Sequence, residues 1–330
     1  MQAILVKTPG GPEQLQLGEY PKPEPKPHEL LVKVHATALN RADTLQRQGK
    51  YPPPAGASPL LGLELAGEVV AVGEECKTFK PGDKVFGLLP GGGYAAYAVI
   101  DEAMAMPVPA NLSMEEAAAI PEVFLTAFQA LVWLGKLQAG ERVLLHAGAS
   151  GVGTAAIQLA KAMGATVLVT ASAEKHQVCL ELGADKAIDY KNSSFKEEVL
   201  RYTQNEGVDV IVDFIAGPYF SDNLDCLRTD GRLVMLATLG GGKVENLDVR
   251  KILAKRLQVT GSTLRSRSRA YQVQLTQELS AFALEKFKTG ELKPVIDSVY
   301  SWQQAAEAHR HMEGNKNTGK IVLKVLENSE

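Results

Sequence analysis

The sequence predicts an α/β protein in which a doubly wound parallel sheet, covered by helices on both faces, interrupts a mostly β domain. Three observations carry this. Short strand-like runs punctuated by Gly and Pro fill the first third, and apolar strands alternate with helical patterns from about residue 121 to 265. Near the start of that alternation a glycine-rich turn, Gly148-Ala149-Ser150-Gly151-Val152-Gly153, lies between an apolar strand and a helix.

The chain opens on a short apolar strand over residues 1–7. Residues 30–36 alternate behind a Pro-rich stretch, 64–72 read as a strand, and 84–89 follow the turn Pro81-Gly82-Asp83. Strands at this spacing indicate a small β domain, a barrel being one form it takes. After Pro121 the pattern changes. Residues 142–147 form the first strand of the alternating series, and a helix follows through Lys161. Strands at 166–170, 187–190, 208–214 and 232–237 come next, and 257–262 closes the sheet. These runs are almost continuously apolar, as strands covered on both faces are. The remainder lacks the α/β rhythm: a helix over 269–288, a turn at 290–294, a helix over 303–312 and a strand over 320–326. It is expected to rejoin the first domain, giving boundaries at 1–122, 123–265 and 266–330.

With 330 residues, 45% hydrophobic, there is enough apolar material for two cores. The net charge is −3 and acids and bases are interspersed, so no basic footprint for nucleic acid or an anionic membrane is present. A small molecule is the expected partner. Cys76, Cys179 and Cys226 are scattered and never spaced C-x-x-C, which excludes a readable disulfide framework or thiolate metal site and suits a reducing compartment. The first strand is too short and wrongly flanked for a signal peptide, and no apolar run is long enough to span a bilayer. A cytoplasmic protein is expected.

The glycine turn points to a dinucleotide. Glycines there allow a tight turn, close approach of backbone to pyrophosphate and close helix–strand packing, while the helix start offers free N–H groups to phosphate. Ser150 occupies the middle glycine position of G-x-G-x-x-G, so the phosphates are expected nearer Gly151 and Val152. The second strand ends Thr170-Ala171-Ser172-Ala173-Glu174-Lys175. NAD binders usually place an acid at that strand end to meet the ribose hydroxyl. Here Ser172 and Lys175 suit a 2′-phosphate, and Glu174 falls past the strand end, in the first turn of a helix, where the helix dipole equally explains an acid. The cofactor predicted is NADPH.

The stretch Gly140-Glu141, Leu144, Gly148 to Gly153, Gln158 and Lys161 resembles the signature of the quinone oxidoreductase/zeta-crystallin branch of the medium-chain dehydrogenase/reductase superfamily, with Ser150 replacing one glycine. Asn40-Arg41-Ala42-Asp43, Gly62-Leu63-Glu64, Gly82-Asp83 and Asn317-Thr318-Gly319-Lys320 resemble further landmarks in family order. The resemblance implies a GroES-like catalytic domain interrupted by a Rossmann domain, with the site between them. It also implies what is missing. Zinc-dependent members have a cysteine where Asn40 stands, a histidine where Leu63 stands and a four-cysteine lobe absent here, so a zinc-free enzyme is expected. His309 and His311, at i and i+2 on a helix, face apart and do not supply a site.

Without a Lewis acid, reduction relies on hydride placement and hydrogen bonding, which suits a quinone or an activated enone. By resemblance, Tyr51 is a cleft tyrosine able to bond a quinone oxygen; the plainer reading is a turn tyrosine packed on prolines. Asn40 is expected to face the nicotinamide ribose or substrate, with Asp43 and Glu64 orienting that segment. Ser150 either contacts pyrophosphate or substrate or is a tolerated small turn residue. Thr126 and Asn317 resemble residues near the nicotinamide, and Tyr190 one near the adenosine phosphate. Thr238, Leu239, Gly240, Ser262, Thr263 and Leu264 follow strands whose C-terminal ends line the ligand crevice. His146 reads as a satisfied core histidine.

The activity this implies is NADPH-dependent quinone reduction. The alternatives are an enone or alkenal double-bond reductase, and a non-catalytic NADPH-binding protein of crystallin-like or RNA-binding type. The resemblance further implies a homodimer paired through the last Rossmann strand, near residues 259–264.

Overall fold

The computed structural model describes residues 1–245 and 247–325. The chain divides into two units, Met1–Leu125 with Arg265–Glu330, and Thr126–Leu264.

The first unit begins with β1 (Gln2–Val6) and β2 (Leu15–Glu19), an antiparallel pair. β3 (Glu29–Ala38) leads into the short helix α1 (Arg41–Arg47). β4 (Glu64–Val72), β5 (Lys84–Leu88), β6 (Tyr97–Asp101), β7 (Ala105–Pro107), and the helices α2 (Met114–Ala118) and α3 (Pro121–Phe128) follow, the boundary between the units falling within α3 after Leu125.

The second unit alternates as its apolar runs require: β8 (Arg142–Leu145), α4 (Gly151–Ala162), β9 (Thr166–Ala171), α5 (His176–Glu181), β10 (Lys186–Asp189), α6 (Phe195–Tyr202), β11 (Val208–Asp213), α7 (Phe220–Cys226), β12 (Leu227–Met235), α8 (Arg250–Ala254) and β13 (Gln258–Gly261). The chain then returns to the first unit with α9 (Arg269–Thr289), β14 (Ile296–Ser301), α10 (Ala305–Glu313) and β15 (Lys320–Lys324).

The second unit's sheet has the order β10-β9-β8-β11-β12-β13, and every pairing in it is parallel. This is the doubly wound order, with the switch of direction between β8 and β11, where such sheets open a ligand crevice. Register explains its stability. Leu168, Leu144, Ile211, Leu233 and Val259 lie side by side across five strands. The first four of these are fully buried.

The first unit's larger sheet runs β14-β15-β3-β4-β5-β7, with no pairing of β14 to β7 among the described residues that would close it into a barrel, and β6 also pairs with β3. β15 takes Ala36 to Ala38 of β3 and β6 takes Glu29 to Lys33, so one long strand holds both the last strand and a mid-chain strand.

Several boundaries differ from the pattern reading. The first Rossmann strand stops at Leu145, because Ala147 turns into the left-handed region at φ 51° to enter the glycine loop. β12 begins at Leu227, five residues before the expected start. β10 ends at Asp189, leaving Tyr190 in the following turn. β2, β6, β7 and β14 were not legible as strands, and Leu326, expected in the last strand, lies outside the described residues.

Candidate functional site

Because its strands are parallel, the second unit gathers their C-terminal ends along one edge. The glycine loop, Ser172, Tyr190, Thr238 to Gly240 and Ser262 to Leu264 all follow such ends. The loop is shaped by contact rather than by unusual dihedrals. A Cβ on Gly148 would fall 2.6 Å from Val169 Cβ, and one on Gly153 would fall 2.3 Å from the Ala147 carbonyl oxygen. Ser150 keeps ordinary extended backbone (φ −70°, ψ 167°), so a side chain is tolerated there. Its hydroxyl caps α4 by accepting from the Gly153 amide at 3.0 Å, and its carbonyl accepts from Thr154 N at 2.8 Å. That leaves the amides of Gly151 and Val152 as those a helix start offers to an outside acceptor.

Behind the loop a buried hydrogen-bond chain crosses the switch point. Ala147 N donates to Thr170 Oγ1 (3.3 Å), which meets His146 Nδ1 at 3.0 Å; His146 Nε2 meets Asn223 Oδ1 at 2.7 Å. Asn223 Nδ2 in turn donates to Asp213 Oδ2 at 3.0 Å, and Asp213 accepts from the amides of Ile215 and Ala216. This pattern makes His146 the Nε2–H tautomer, and burial holds its pKa down. Both ends of the chain brace alanines at positive φ, Ala147 and Ala216 (64°). His146 is thus a satisfied core histidine.

Other cofactor candidates vary in how free they are. Thr126 Oγ1 is buried without a hydrogen-bond partner. Ser172 is buried, and the exposed Glu174 is tied back to its hydroxyl, the main cause that holds the Glu174 carboxyl below its usual range. Lys175 closes the same short turn, Ala173–Lys175. Tyr190 and Leu239 are exposed. Gly240 must be glycine, since a Cβ would lie 2.7 Å from Ile215 Cγ2. Ser262 is fixed by its amide to Met235 O at 3.0 Å, and Leu264 is buried. In the first unit, Asn317 Nδ2 donates to Gly319 O at 2.8 Å, shaping its own turn.

The first unit holds a sealed polar node. Lys320 Nζ donates to Leu39 O (2.7 Å), Asn40 Oδ1 (2.7 Å) and Glu64 Oε1 (2.8 Å). Asn40 Nδ2 donates to the same Glu64 oxygen at 2.8 Å, and Glu64 Oε2 accepts from the Glu122 amide at 2.9 Å. Asp43 accepts from Asn40 N (2.8 Å) and Gly62 N (2.9 Å), which fixes the start of α1 against the Gly62 turn. Gly62 sits at φ 96°, and a Cβ there would lie 2.6 Å from Gly93 Cα. Burial pushes Asp43 up to about 6 against these two donors. It pushes Glu122 up to about 7, with the charge of Glu64 adding to the effect.

Beside this node Arg265 lies over the Tyr51 ring, its guanidinium carbon 5.4 Å from the ring centroid. Tyr51 is half-buried, and its hydroxyl has no hydrogen-bond partner among the described residues. Sequence reading stopped at Leu264 and so missed Arg265. It also missed Glu122 and the pairing of Lys320 with Glu64, because only the folded sheet brings together residues this far apart in the chain. The expected separation of the two C-terminal histidines holds. His309 is sealed between Arg47 Nη1 (3.0 Å) and Tyr94 OH (3.1 Å), while His311 bonds Tyr300 OH at 3.0 Å. Among the described residues no three His, Cys, Asp or Glu side chains converge as a metal-ligand set.

Comparison with known proteins agrees with this architecture. The alcohol dehydrogenase GroES-like domain matches residues 26–110, and the zinc-binding dehydrogenase family matches 151–281. Human quinone oxidoreductase is 34% identical over 98% of this chain and 97% of its own length. Among solved structures, the quinone oxidoreductase of Pseudomonas syringae pv. Tomato superposes with a TM-score of 0.87 at 32% identity over 98% of this chain and 99% of that one. An NAD-dependent alcohol dehydrogenase gives 0.87 at 35% (99% and 100% covered), and the CurK enoyl reductase 0.86 at 30% (98% of each). The chain therefore belongs to the medium-chain dehydrogenase/reductase superfamily and, within it, to the quinone oxidoreductase family.

Proposed function

We propose that this chain is an NADPH-dependent, zinc-independent quinone oxidoreductase. The observation that carries the reading is the composition of the node around Asn40. The positions that hold zinc ligands in metal-dependent relatives carry an asparagine amide and the buried Leu63, and the adjoining oxygens already bind the Lys320 ammonium. A second cation beside that ammonium would be repelled, and neither thiolate nor imidazole is at hand, so the donor set does not suit zinc.

The residues do fit a dinucleotide. The close-packed glycines leave room for backbone approach to pyrophosphate, the amides of Gly151 and Val152 would bind it, and the unpartnered Thr126 hydroxyl would meet the nicotinamide end. When bound, the reduced nicotinamide supplies the hydride. Ser150, engaged as a helix cap, would hold the loop rather than act in chemistry. Asn40 and Asn317, both engaged internally, would act by keeping their turns in place. Tyr51 would present its hydroxyl to the acceptor. NADPH rather than NADH rests on Ser172 and Lys175, and the exposed Glu174 would have to release the Ser172 hydroxyl to admit a 2′-phosphate. Lys175→Ala should therefore weaken NADPH much more than NADH, and Glu174→Gln should tighten NADPH.

The deciding assay is NADPH oxidation in EDTA with an ortho-quinone, a para-quinone and an α,β-unsaturated ketone. Turnover with quinones is expected; turnover with the enone alone would favour the second reading, a double-bond reductase, which the likeness to an enoyl reductase supports. Dependence on added zinc would overturn the mechanism. A homodimer belongs to the same reading, since β13 is an edge strand and Leu239, Val249 and Leu253 stand exposed in the segments around it. A cytoplasmic setting is consistent with three free cysteines.

A further inference from the structure

Arg265 is 8% exposed, and only one of its nitrogens has a partner: Nε donates to Pro90 O at 2.8 Å. Both Nη atoms are buried with no hydrogen-bond partner. Arginine stays charged in proteins, and a buried charge with open donors is strongly unfavourable unless something satisfies them. Natural proteins rarely leave such groups unmade without a functional reason. The open donors belong to a planar fork that lies over the Tyr51 ring, with the Tyr51 phenol within electrostatic reach of the guanidinium.

The geometry points to Arg265 as the receptor for the carbonyl oxygen of the acceptor, with the open Nη donors and the Tyr51 hydroxyl forming an oxyanion site that does the work a metal does elsewhere. The inference rests on the reductase reading. Transfer of one hydride, with its two electrons, to a quinone or enone leaves one negative charge on the conjugated system, carried by that oxygen as phenolate or enolate. The guanidinium keeps its protons and stabilises the charge, and the oxygen then takes a proton from water or from the Tyr51 hydroxyl, which water reprotonates. A planar neutral carbonyl fits better than a doubly charged phosphate of the cofactor, because the carboxyl groups of Asp43 and Glu122 already lie within electrostatic reach of the guanidinium.

Kinetics and ligand binding test this. In steady-state assays Arg265→Met should lower kcat with quinone by about 10²-fold, with Arg265→Lys between it and wild type, and leave NADPH binding by fluorescence titration within about twofold. Free guanidinium added to Arg265→Ala should restore part of the rate. Independently of turnover, wild-type protein should bind 4-nitrophenol with its pKa lowered, read as phenolate absorbance, and Arg265→Met should abolish that shift.

Loss of NADPH affinity by tenfold or more in Arg265→Met, with the phenol shift intact, would make Arg265 a cofactor-phosphate residue and overturn the proposal. So would unchanged quinone kinetics. If no acceptor is reduced by wild type, the reductase reading fails, yet the phenolate shift and its loss in Arg265→Met still report on the oxyanion site.

Discussion

Lys320 Nζ lies 2.8 Å from Glu64 Oε1 with both side chains sealed from solvent at 3% and 0% exposure. The pair ties the last strand, β15, to β4 through the Asn40 turn, and its remaining donors and acceptors are all met by Leu39, Asn40 and Glu122. A buried pair of this kind contributes little net stability against an apolar replacement, yet breaking it leaves one charge uncompensated. Lys320→Met alone should cost about 3–5 kcal/mol in urea unfolding. The double change Lys320→Met with Glu64→Gln should recover most of the loss. If the single and double variants are equally unstable, the pairing is not what Lys320 provides.

Ser150 offers a cleaner separation of cap from chemistry. Its hydroxyl accepts from Gly153 N, so Ser150→Ala should destabilise by about 1 kcal/mol and Ser150→Gly by only a few tenths. Because the amides of Gly151 and Val152 remain, NADPH affinity should fall only modestly in both. A kcat loss of two orders of magnitude in Ser150→Ala, with stability unchanged, would restore the serine to the chemistry.

How far the sequence carries can be judged from these same residues. The parallel series was readable because both faces of β8, β9 and β11 are covered, so their strands are nearly all apolar. β14 is half exposed and carries Asp297, Ser298 and Ser301, and its strand character comes from pairing with β15 rather than from its own pattern. The glycine turn was legible since contact with Val169 and Ala147 dictates glycine at Gly148 and Gly153. The role of Ser150 was not, because capping depends on an extended backbone that no composition reveals. The Tyr51 site was half visible. The tyrosine stood in a recognisable segment, whereas Arg265, more than 200 positions away, is brought to it only by the fold.

The edge of the second sheet makes a third prediction. Ser262 N points inward to Met235 O, so by strand alternation the Gly261 amide faces away from β12. A Cβ at Gly261 meets nothing within 4 Å. Gly261→Pro should therefore leave the monomer fold intact while removing an outward donor, and, on the proposal of a homodimer paired through β13, sedimentation should show a dimer converted to monomer. A wild type that is monomeric, or a dimer indifferent to the substitution, would remove β13 from the assembly.

His309 gives the chain an acid-sensitive lock. Arg47 Nη1 donates to His309 Nδ1 at 3.0 Å, which requires that nitrogen to be unprotonated, and Nε2 then donates to Tyr94 OH at 3.1 Å. Burial, with the Arg47 charge adding to it, pushes the imidazole down to about 3. An unfolded chain binds that proton from about pH 6.5 downward, whereas the folded chain resists it until about 3. Between those values the unfolded state holds more protons, so stability rises with pH and is lost on acidification. The slope from this one group is at most about 1.4 kcal/mol per pH unit. His309→Gln keeps an acceptor for Arg47 and a donor for Tyr94 but does not titrate. Urea midpoints measured from pH 7 to pH 4 should fall less steeply in His309→Gln than in wild type. Parallel curves would mean that the acid sensitivity of the fold arises elsewhere.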